Sequence, residues 1–304
     1  MDKVYVDTVR LLIQAIPYVM QSPDFALKGG TALNLFVHDM PRLSVDLDIA
    51  FIDRSVTRDA ALARISSALF EMQARFRAMK LNAQVGRSTK GDEVKLLVSN
   101  ERSQVKIEVN YVFRGTVMRP ERRGLTLAAR NLFTAELDVP ILPLPELYGS
   151  KLVAAMDRQH PRDFFDVMAM YQHAGLTKDI VECFVCYLAG HNRPLHEVLF
   201  PEDRDLTMAY ESDFLGLTAI PVSMAELVET RLRLRHELPR ALTTAQRRFL
   251  LSLAGGEPEW NCLSCSHLAE LPAIQWKLEN LRKLKKKNPS KFKQQAEELE
   301  ARLA

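Results

Sequence analysis

The sequence predicts an α+β protein. An N-terminal domain with a mixed β-sheet flanked by helices is expected over residues 1–143, and an all-helical domain over residues 144–304. Three observations predict this. Runs that are continuously apolar, or that alternate apolar and polar residues, mark strands and are confined to the first 143 residues. Past Pro143 and Pro145 the apolar residues recur at helical spacing. A chain of 304 residues also suffices for two domains of ordinary size, each with its own core.

The elements follow in order. Residues 4–20 place Val4, Val6, Val9, Leu12, Ile13 and Ile16 at helical spacing. A short strand over 25–27 delivers Lys28 to a Gly29-Gly30-Thr31 turn, which opens a short apolar helix through Ala32, Leu33, Leu35 and Phe36. A strand over 46–52 comes next, then a helix over 58–79 carried by Leu62, Ile65, Leu69, Met72 and Phe76. Strands are expected over 82–88, 93–99 and 104–113. In the last, Val105, Ile107, Val109 and Tyr111 alternate with Lys106, Glu108 and Asn110, so its two faces differ. Residues 139–142 read as an edge strand that Pro143 ends. Residues 177–256 read as helical throughout, with breaks at Pro194, Pro201, Pro221 and Pro239. Phe164, Phe165, Met168 and Met170 are expected in the core.

The chemistry concentrates between Lys28 and Asp48. Asp46 and Asp48 stand two apart on a strand and therefore point to one face. Two carboxylates so placed repel each other unless a cation lies between them. Mg2+ suits such a pair, because it takes one or two carboxylates and completes its shell with substrate phosphates. The glycine turn offers backbone N–H groups to a phosphate. Taken singly, Asp-x-Asp and Gly-Gly also occur in ordinary exposed turns. Glu108 is a candidate third carboxylate if its strand lies beside that of Asp46, since two-metal phosphoryl transfer uses one. From pattern alone a solvent-facing Glu108 fits nearly as well.

A second constellation follows the domain boundary. Lys151 and Arg158 fall on one side of a helix, and Asp163 and Asp166 on one face of the next, which Pro161 starts. Such a pair of helices suits a triphosphate-binding wall, with Lys151 on phosphate oxygens and the departing pyrophosphate. An ion-paired helical hairpin with no ligand accounts for the same residues.

Residues 28–48 resemble the nucleotidyltransferase signature of the DNA polymerase β superfamily: a Gly-Gly or Gly-Ser turn, a helix, then Asp-x-Asp. Thr31 stands in place of the superfamily's serine and keeps the hydroxyl. The longer string, Lys28 before the glycines and Arg42-x-Ser44-x-Asp46-x-Asp48 after them, resembles the AbiEii/AbiGii toxin family of abortive-infection and toxin–antitoxin systems. The string from Lys151 to Asp166 is similar to that family's second signature. The resemblance covers most of the first 175 or so residues.

The resemblance implies Asp46, Asp48, Lys151 and Asp166 as catalytic residues. It implies Lys28, Gly29, Gly30, Thr31, Arg42, Ser44, Lys151, Arg162 and Asp163 as nucleotide-binding, and Asp46, Asp48 and Glu108 as ligands of Mg2+. The implied substrate is a nucleoside triphosphate, whose monophosphate passes to an acceptor hydroxyl, the 3′ end of tRNA in relatives, with release of pyrophosphate. A cognate antitoxin, acting directly or indirectly, is the implied partner. A protein or small-molecule acceptor, and a non-catalytic nucleotide- or RNA-binding module, are the alternatives.

The remaining features are less specific. The hydrophobic share of 47% and charged share of 26% are those of a soluble globular protein. No apolar run approaches the length of a bilayer span, so no membrane association is expected. Asp2, Asp7 and Arg10 make the first residues an amphipathic helix in place of a secretion signal, and a cytoplasmic location is expected. The net charge of +3 is uneven: from Leu271 onward nine Lys or Arg face four Glu, a local +5. That basic tail, residues 271–304, reads as two amphipathic helices broken at Asn288-Pro289. Lys283, Lys285, Lys286, Lys287, Lys291 and Lys293 cluster near Trp276 and Phe292. Such a cluster either binds nucleic-acid phosphates or is a solvated helix face. Two Cys-x-x-Cys pairs, Cys183/Cys186 and Cys262/Cys265, are read as reduced core thiols, because the gap between them exceeds that of compact zinc modules. The scattered histidines receive no role.

Overall fold

A seven-stranded mixed sheet organises the first half of the chain. In this computed structural model residues 1–87 and 93–304 are described, without the side chains of residues 87, 93 and 94. The expected strand over 82–88 is seen to Arg87, and Ser88 lies outside the described residues. The strands are β1 (Phe25–Lys28), β2 (Asp46–Phe51), β3 (Asn82–Arg87), β4 (Glu93–Ser99), β5 (Gln104–Asn110), β6 (Glu121–Gly124) and β7 (Asp138–Ile141). Their order in the sheet is β3-β4-β5-β2-β1-β7-β6. Strand β2 is central, antiparallel to β1 and parallel to β5.

This sheet belongs to a unit comprising Met1–Leu147 and Leu215–Pro221. Its helices are α1 (Lys3–Val19), α2 (Gly29–Ala32), α3 (Arg58–Ala78) and α4 (Leu127–Phe133), plus the first turn of α5 (Leu144–Arg158). Helix α1 starts where the Asp2 side chain accepts from Val4 N at 3.0 Å and caps a free N–H. Its Val9, Leu12, Ile13 and Ile16 are buried, and it packs on β5 while α3 packs on β3 and β4. Leu47, Ile49 and Phe51 of β2 and Val105, Ile107 and Val109 of β5 are buried on alternate positions. Each such side chain contributes about 2 kcal/mol on removal from water. The intervening Asp46, Asp48, Lys106 and Glu108 are half-buried. Alternation therefore segregates an apolar face from a charged one.

Two expectations are corrected here. Strand β7 is not at the edge, because β6 pairs antiparallel with it outside. The β6 sequence, Glu-Arg-Arg-Gly, has no apolar residue and hence no periodic signal. Residues 177–256 are not helical throughout, since residues 215–221 leave the helices and join the first unit. There Leu43 N donates to Leu217 O at 2.9 Å, and Ala219 N to Pro41 O at 3.0 Å.

The second unit, Tyr148–Phe214 with Val222–Ala304, is helical. It holds the rest of α5, then α6 (Pro161–His173), α7 (Lys178–Ala189), α8 (Leu195–Leu199), α9 (Thr207–Asp213), α10 (Met224–Ala241), α11 (Thr244–Ala254), α12 (Pro272–Lys287) and α13 (Pro289–Leu303). Pro239 lies inside α10 near its end and does not break it. Phe164, Phe165, Met170, Phe184 and Phe249 are buried, whereas Met168 is half-exposed.

Candidate active site

The glycine turn and the Asp-x-Asp strand touch. Lys28 of β1 lies opposite Asp48 of β2 in antiparallel register. Gly29 adopts φ +70°, and a Cβ there would stand 2.3 Å from Asp48 Oδ2. Only glycine therefore lets the backbone approach the carboxylate so closely. At Gly30 a Cβ would stand 2.6 Å from Arg42 Nη2 and 3.0 Å from Ser44 Oγ. Thr31 Oγ1 donates to Asp46 O at 2.5 Å, and Asn34 Nδ2 to Gly30 O at 2.8 Å. Helix α2 runs on into a π-helical stretch, Leu33–Val37, so the turn is anchored from both sides.

These contacts divide the expected nucleotide-binding residues into two groups. Lys28 and Gly29 are half-exposed beside the two aspartates. Thr31 and Arg42 are 0% and 2% exposed and bond to backbone carbonyls of residues 46 and 43. Those bonds hold both side chains against the backbone that leads into β2. Gly30 and Ser44 are buried with them.

Asp46 and Asp48 share one face of β2, and β5 lies alongside in parallel register, with Lys106 opposite Asp46 and Glu108 opposite Asp48. Lys106 Nζ is 3.0 Å from Glu108 Oε1 and 3.8 Å from Asp46 Oδ1, while Lys95 Nζ of β4 is 3.1 Å from Glu108 Oε1. Burial pushes the Glu108 carboxyl up, but hydrogen bonds and charge from Lys106 and Lys95 outweigh it and leave it below the usual range. Lys106 and Lys95 were not among the expected site residues, although alternation puts Lys106 on the face of Glu108. The donor chemistry of Asp46 and Asp48 fits a divalent cation: two half-exposed carboxylates on one face, beside a backbone turn. Glu108 as placed is already neutralised by two ammonium groups. Among the described residues, no three His, Cys, Asp or Glu are gathered to hold a metal ion.

In the helical unit Lys151, Arg158, Asp163 and Asp166 form one ion-paired group. Lys151 Nζ lies 2.9 Å from Asp163 Oδ1 and 3.0 Å from Asp166 Oδ2. Arg158 donates to Asp163 through Nε at 2.5 Å and Nη2 at 2.8 Å. Burial alone would raise the Asp163 carboxyl, but the charges of Lys151 and Arg158 prevail and hold it far below the usual carboxylate range. Asp163 is fully buried and ion-paired with both Lys151 and Arg158. Arg162, half-exposed, follows the His160 cap, whose Nδ1 accepts from Arg162 N at 3.2 Å.

A family model described as "Nucleotidyl transferase AbiEii toxin, Type IV TA system" matches residues 10–280. The chain belongs to this AbiEii family. Among solved structures it is similar to MenT4, the nucleotidyltransferase toxin Rv2826c from Mycobacterium tuberculosis H37Rv, with a TM-score of 0.61 and 19% identity. That similarity covers 92% of this chain and 94% of the MenT4 chain, and it shows a shared fold. A search of curated proteins finds no match. The AbiEii match makes the chain a toxin-type nucleotidyltransferase, with a nucleoside triphosphate as substrate and an antitoxin as partner.

Beyond the AbiEii signatures, the tail forms two packed helices, α12 and α13. Lys283 pairs with Glu279 and lies 5.5 Å from the Trp276 ring, and Lys293 pairs with Glu297 at 3.2 Å. Lys286, Lys287 and Lys291 are exposed and form no ion pair among the described residues. Lys277 is buried and donates to Arg193 O at 2.6 Å, and burial brings its pKa down to about 8. No helix is long and apolar enough to cross a membrane, among the described residues.

Proposed function

We propose that this AbiEii protein transfers a nucleoside monophosphate from a triphosphate to the 3′-hydroxyl of an RNA, tRNA being the class that the resemblance of its sequence implies. The observation that carries the reading is Asp48: its carboxylate shares a face with Asp46 and lies against the Gly29 backbone. Asp46 and Asp48 would hold Mg2+. The ion would supply charge neutralisation on the triphosphate and lower the pKa of the acceptor hydroxyl.

The acceptor oxygen then attacks the α-phosphorus in line. The bond from that phosphorus to the bridging oxygen breaks, pyrophosphate leaves, and the hydroxyl proton passes to water. Lys28 and the Gly29 backbone steady the phosphates, and the buried Thr31, Arg42 and Ser44 keep the turn in shape. Glu108 would join the metal ligands on release from Lys95 and Lys106. Lys151 and Asp166 would serve the same reaction, as the resemblance to the family's second signature implies, with Asp163 and Arg158 holding Lys151 in place. The exposed Lys286, Lys287 and Lys291 favour RNA as acceptor, because an unpaired basic cluster binds phosphates without sequence preference. The reaction belongs in the cytoplasm, where triphosphates and tRNA are found.

Incubation with each of four α-labelled triphosphates, Mg2+ and total RNA tests the proposal. Label at RNA 3′ ends, with pyrophosphate released and both lost in Asp48→Ala, is the expected result. Label on protein or a small molecule would move the acceptor. Triphosphate binding without pyrophosphate release would make the protein a sensor.

A further inference from the structure

The charged face of the sheet does not end at Glu108. Strand β4 lies antiparallel to β5 on the side away from β2, and β3 lies antiparallel to β4 beyond it. In that register Lys106 stands opposite Leu97 and then Gln84, and Glu108 stands opposite Lys95 and then Gly86. The alternate positions Ala83, Leu96 and Val98 are buried like Val105, Ile107 and Val109 of β5, and α1 and α3 pack on these strands. The other face carries Lys95 and Lys106, half-exposed, and Asn82, Gln84 and Gln104, exposed. Gln84 makes no hydrogen bond or ion pair among the described residues. A Cβ on Gly86 would meet nothing within 4 Å, so the space above β3 is open there.

We propose that this platform, formed by β5, β4 and β3 with Lys95 and Lys106, binds the single-stranded 3′ end of the acceptor RNA. The inference rests on the transfer reading given above. In-line displacement puts the attacking oxygen and the departing pyrophosphate on opposite sides of the α-phosphorus. Lys28 and the Gly29 turn, which steady the phosphates, lie on the β1 side of Asp46 and Asp48. Strand β5 lies on the other side. The acceptor hydroxyl therefore enters over β5, and the nucleotides before it run over β4 and β3. At about 4.8 Å per strand, the platform extends about 14 Å from β2.

Charge favours a polyanion in that place. Lys95 Nζ and Lys106 Nζ lie 3.1 and 3.0 Å from the same oxygen, Oε1 of Glu108. Two ammonium groups on one carboxylate leave a surplus of positive charge. Lys106 directs part of it to Asp46 at 3.8 Å, and a cation held by Asp46 and Asp48 would take over that pairing. The surplus then faces the incoming phosphodiester. The amides of Asn82, Gln84 and Gln104 both donate and accept, which suits ribose hydroxyls and the edges of unpaired bases.

The test is binding of a short fluorescein-labelled single-stranded RNA with a free 3′-hydroxyl to the full-length protein. Mg2+ and an α,β-methylene triphosphate, which cannot release pyrophosphate, fill the other half of the site without turnover. Lys95→Gln is expected to weaken RNA binding several-fold and to lower the slope of log K against log salt by about 0.7, the single-strand value for one phosphate. Gln84→Glu is expected to weaken binding and Gln84→Lys to tighten it, each several-fold, with the affinity for the methylene triphosphate alone unchanged. Gln84 is exposed, so both variants leave buried packing intact. Ala74→Glu makes the same charge change on the exposed side of α3, across the sheet, and should leave RNA binding at the wild-type value. Equal RNA affinity in the two Gln84 variants, or an equal loss in Ala74→Glu, would overturn the platform while the label on RNA 3′ ends keeps the transfer reading standing. Label on protein in place of RNA would overturn both.

Discussion

Lys151 Nζ lies 2.9 Å from Asp163 Oδ1, with the lysine side chain 7% and the aspartate 0% exposed. Taking two charges out of water is costly, and the pair persists only because Asp166 and Arg158 complete the balance. Removing one member leaves an uncompensated buried charge. Asp163→Ala is therefore expected to destabilise the protein by about 3–5 kcal/mol in urea unfolding. The pH dependence has a defined sign. The folded-state pKa of Asp163 is depressed, so its contribution is complete above the unfolded carboxylate value, about 3.9, and fades as pH falls below it. Asp163→Ala should thus flatten the acid limb of the stability curve. An unchanged acid limb would show that the pair does not govern it.

Gly29 tests whether the turn and the carboxylate form one device. Gly29→Ala places a methyl 2.3 Å from Asp48 Oδ2 at a φ of +70°, and Gly175→Ala imposes nearly the same φ, +69°, in open space. Each incurs about 1–2 kcal/mol of backbone strain. Only Gly29→Ala also displaces Asp48. Nucleotidyl transfer should fall by ~10²-fold or more in Gly29→Ala and stay near wild type in Gly175→Ala. Equal activity in the two variants would separate the turn from the chemistry.

Much of each of the two constellations is legible in the sequence because its logic is local. Asp46 and Asp48 must share a face wherever that segment is a strand, and Lys28 precedes the glycines by direct succession. The hairpin from Lys151 to Asp166 follows from helical spacing and Pro161. Burial is not local. Nothing in the types of Thr31, Arg42 and Asp163 distinguishes a ligand-facing group from one turned into the protein, and all three turn inward. Long-range encounters are equally silent: the return of residues 215–221 and the hydrogen bonds of Ser264 to Glu182 depend on how helices pack. Lys106 stands between these cases. Its alternation with Glu108 was readable, but its partners required the parallel register of β2 and β5.

Lys106 competes with any cation for the acidic face. It pairs with Glu108 at 3.0 Å and reaches Asp46 at 3.8 Å, all three groups being half-buried. Lys106→Met removes that internal countercharge. If Asp46 and Asp48 hold Mg2+, the metal concentration for half-maximal transfer should drop several-fold. Stability should change by less than ~1 kcal/mol, since partly exposed pairs contribute little. A rise in the Mg2+ requirement would mean that Lys106 orients the carboxylates and does not occupy their place.

The tail supplies the last prediction. Lys286, Lys287 and Lys291 project from the junction of α12 and α13, and their charges are not engaged in ion pairs among the described residues. Changing all three to Gln removes three phosphate contacts if RNA lies there and disturbs no buried packing. The slope of log K against log salt for tRNA binding should then fall by about 2–3, since each lost contact removes roughly 0.7–0.9. Thermal unfolding should be unchanged. Transfer to a short acceptor that cannot reach the tail should be unaffected, which distinguishes a weakened RNA contact from a damaged catalytic site. An unaltered salt slope would leave these lysines as a solvated helix face.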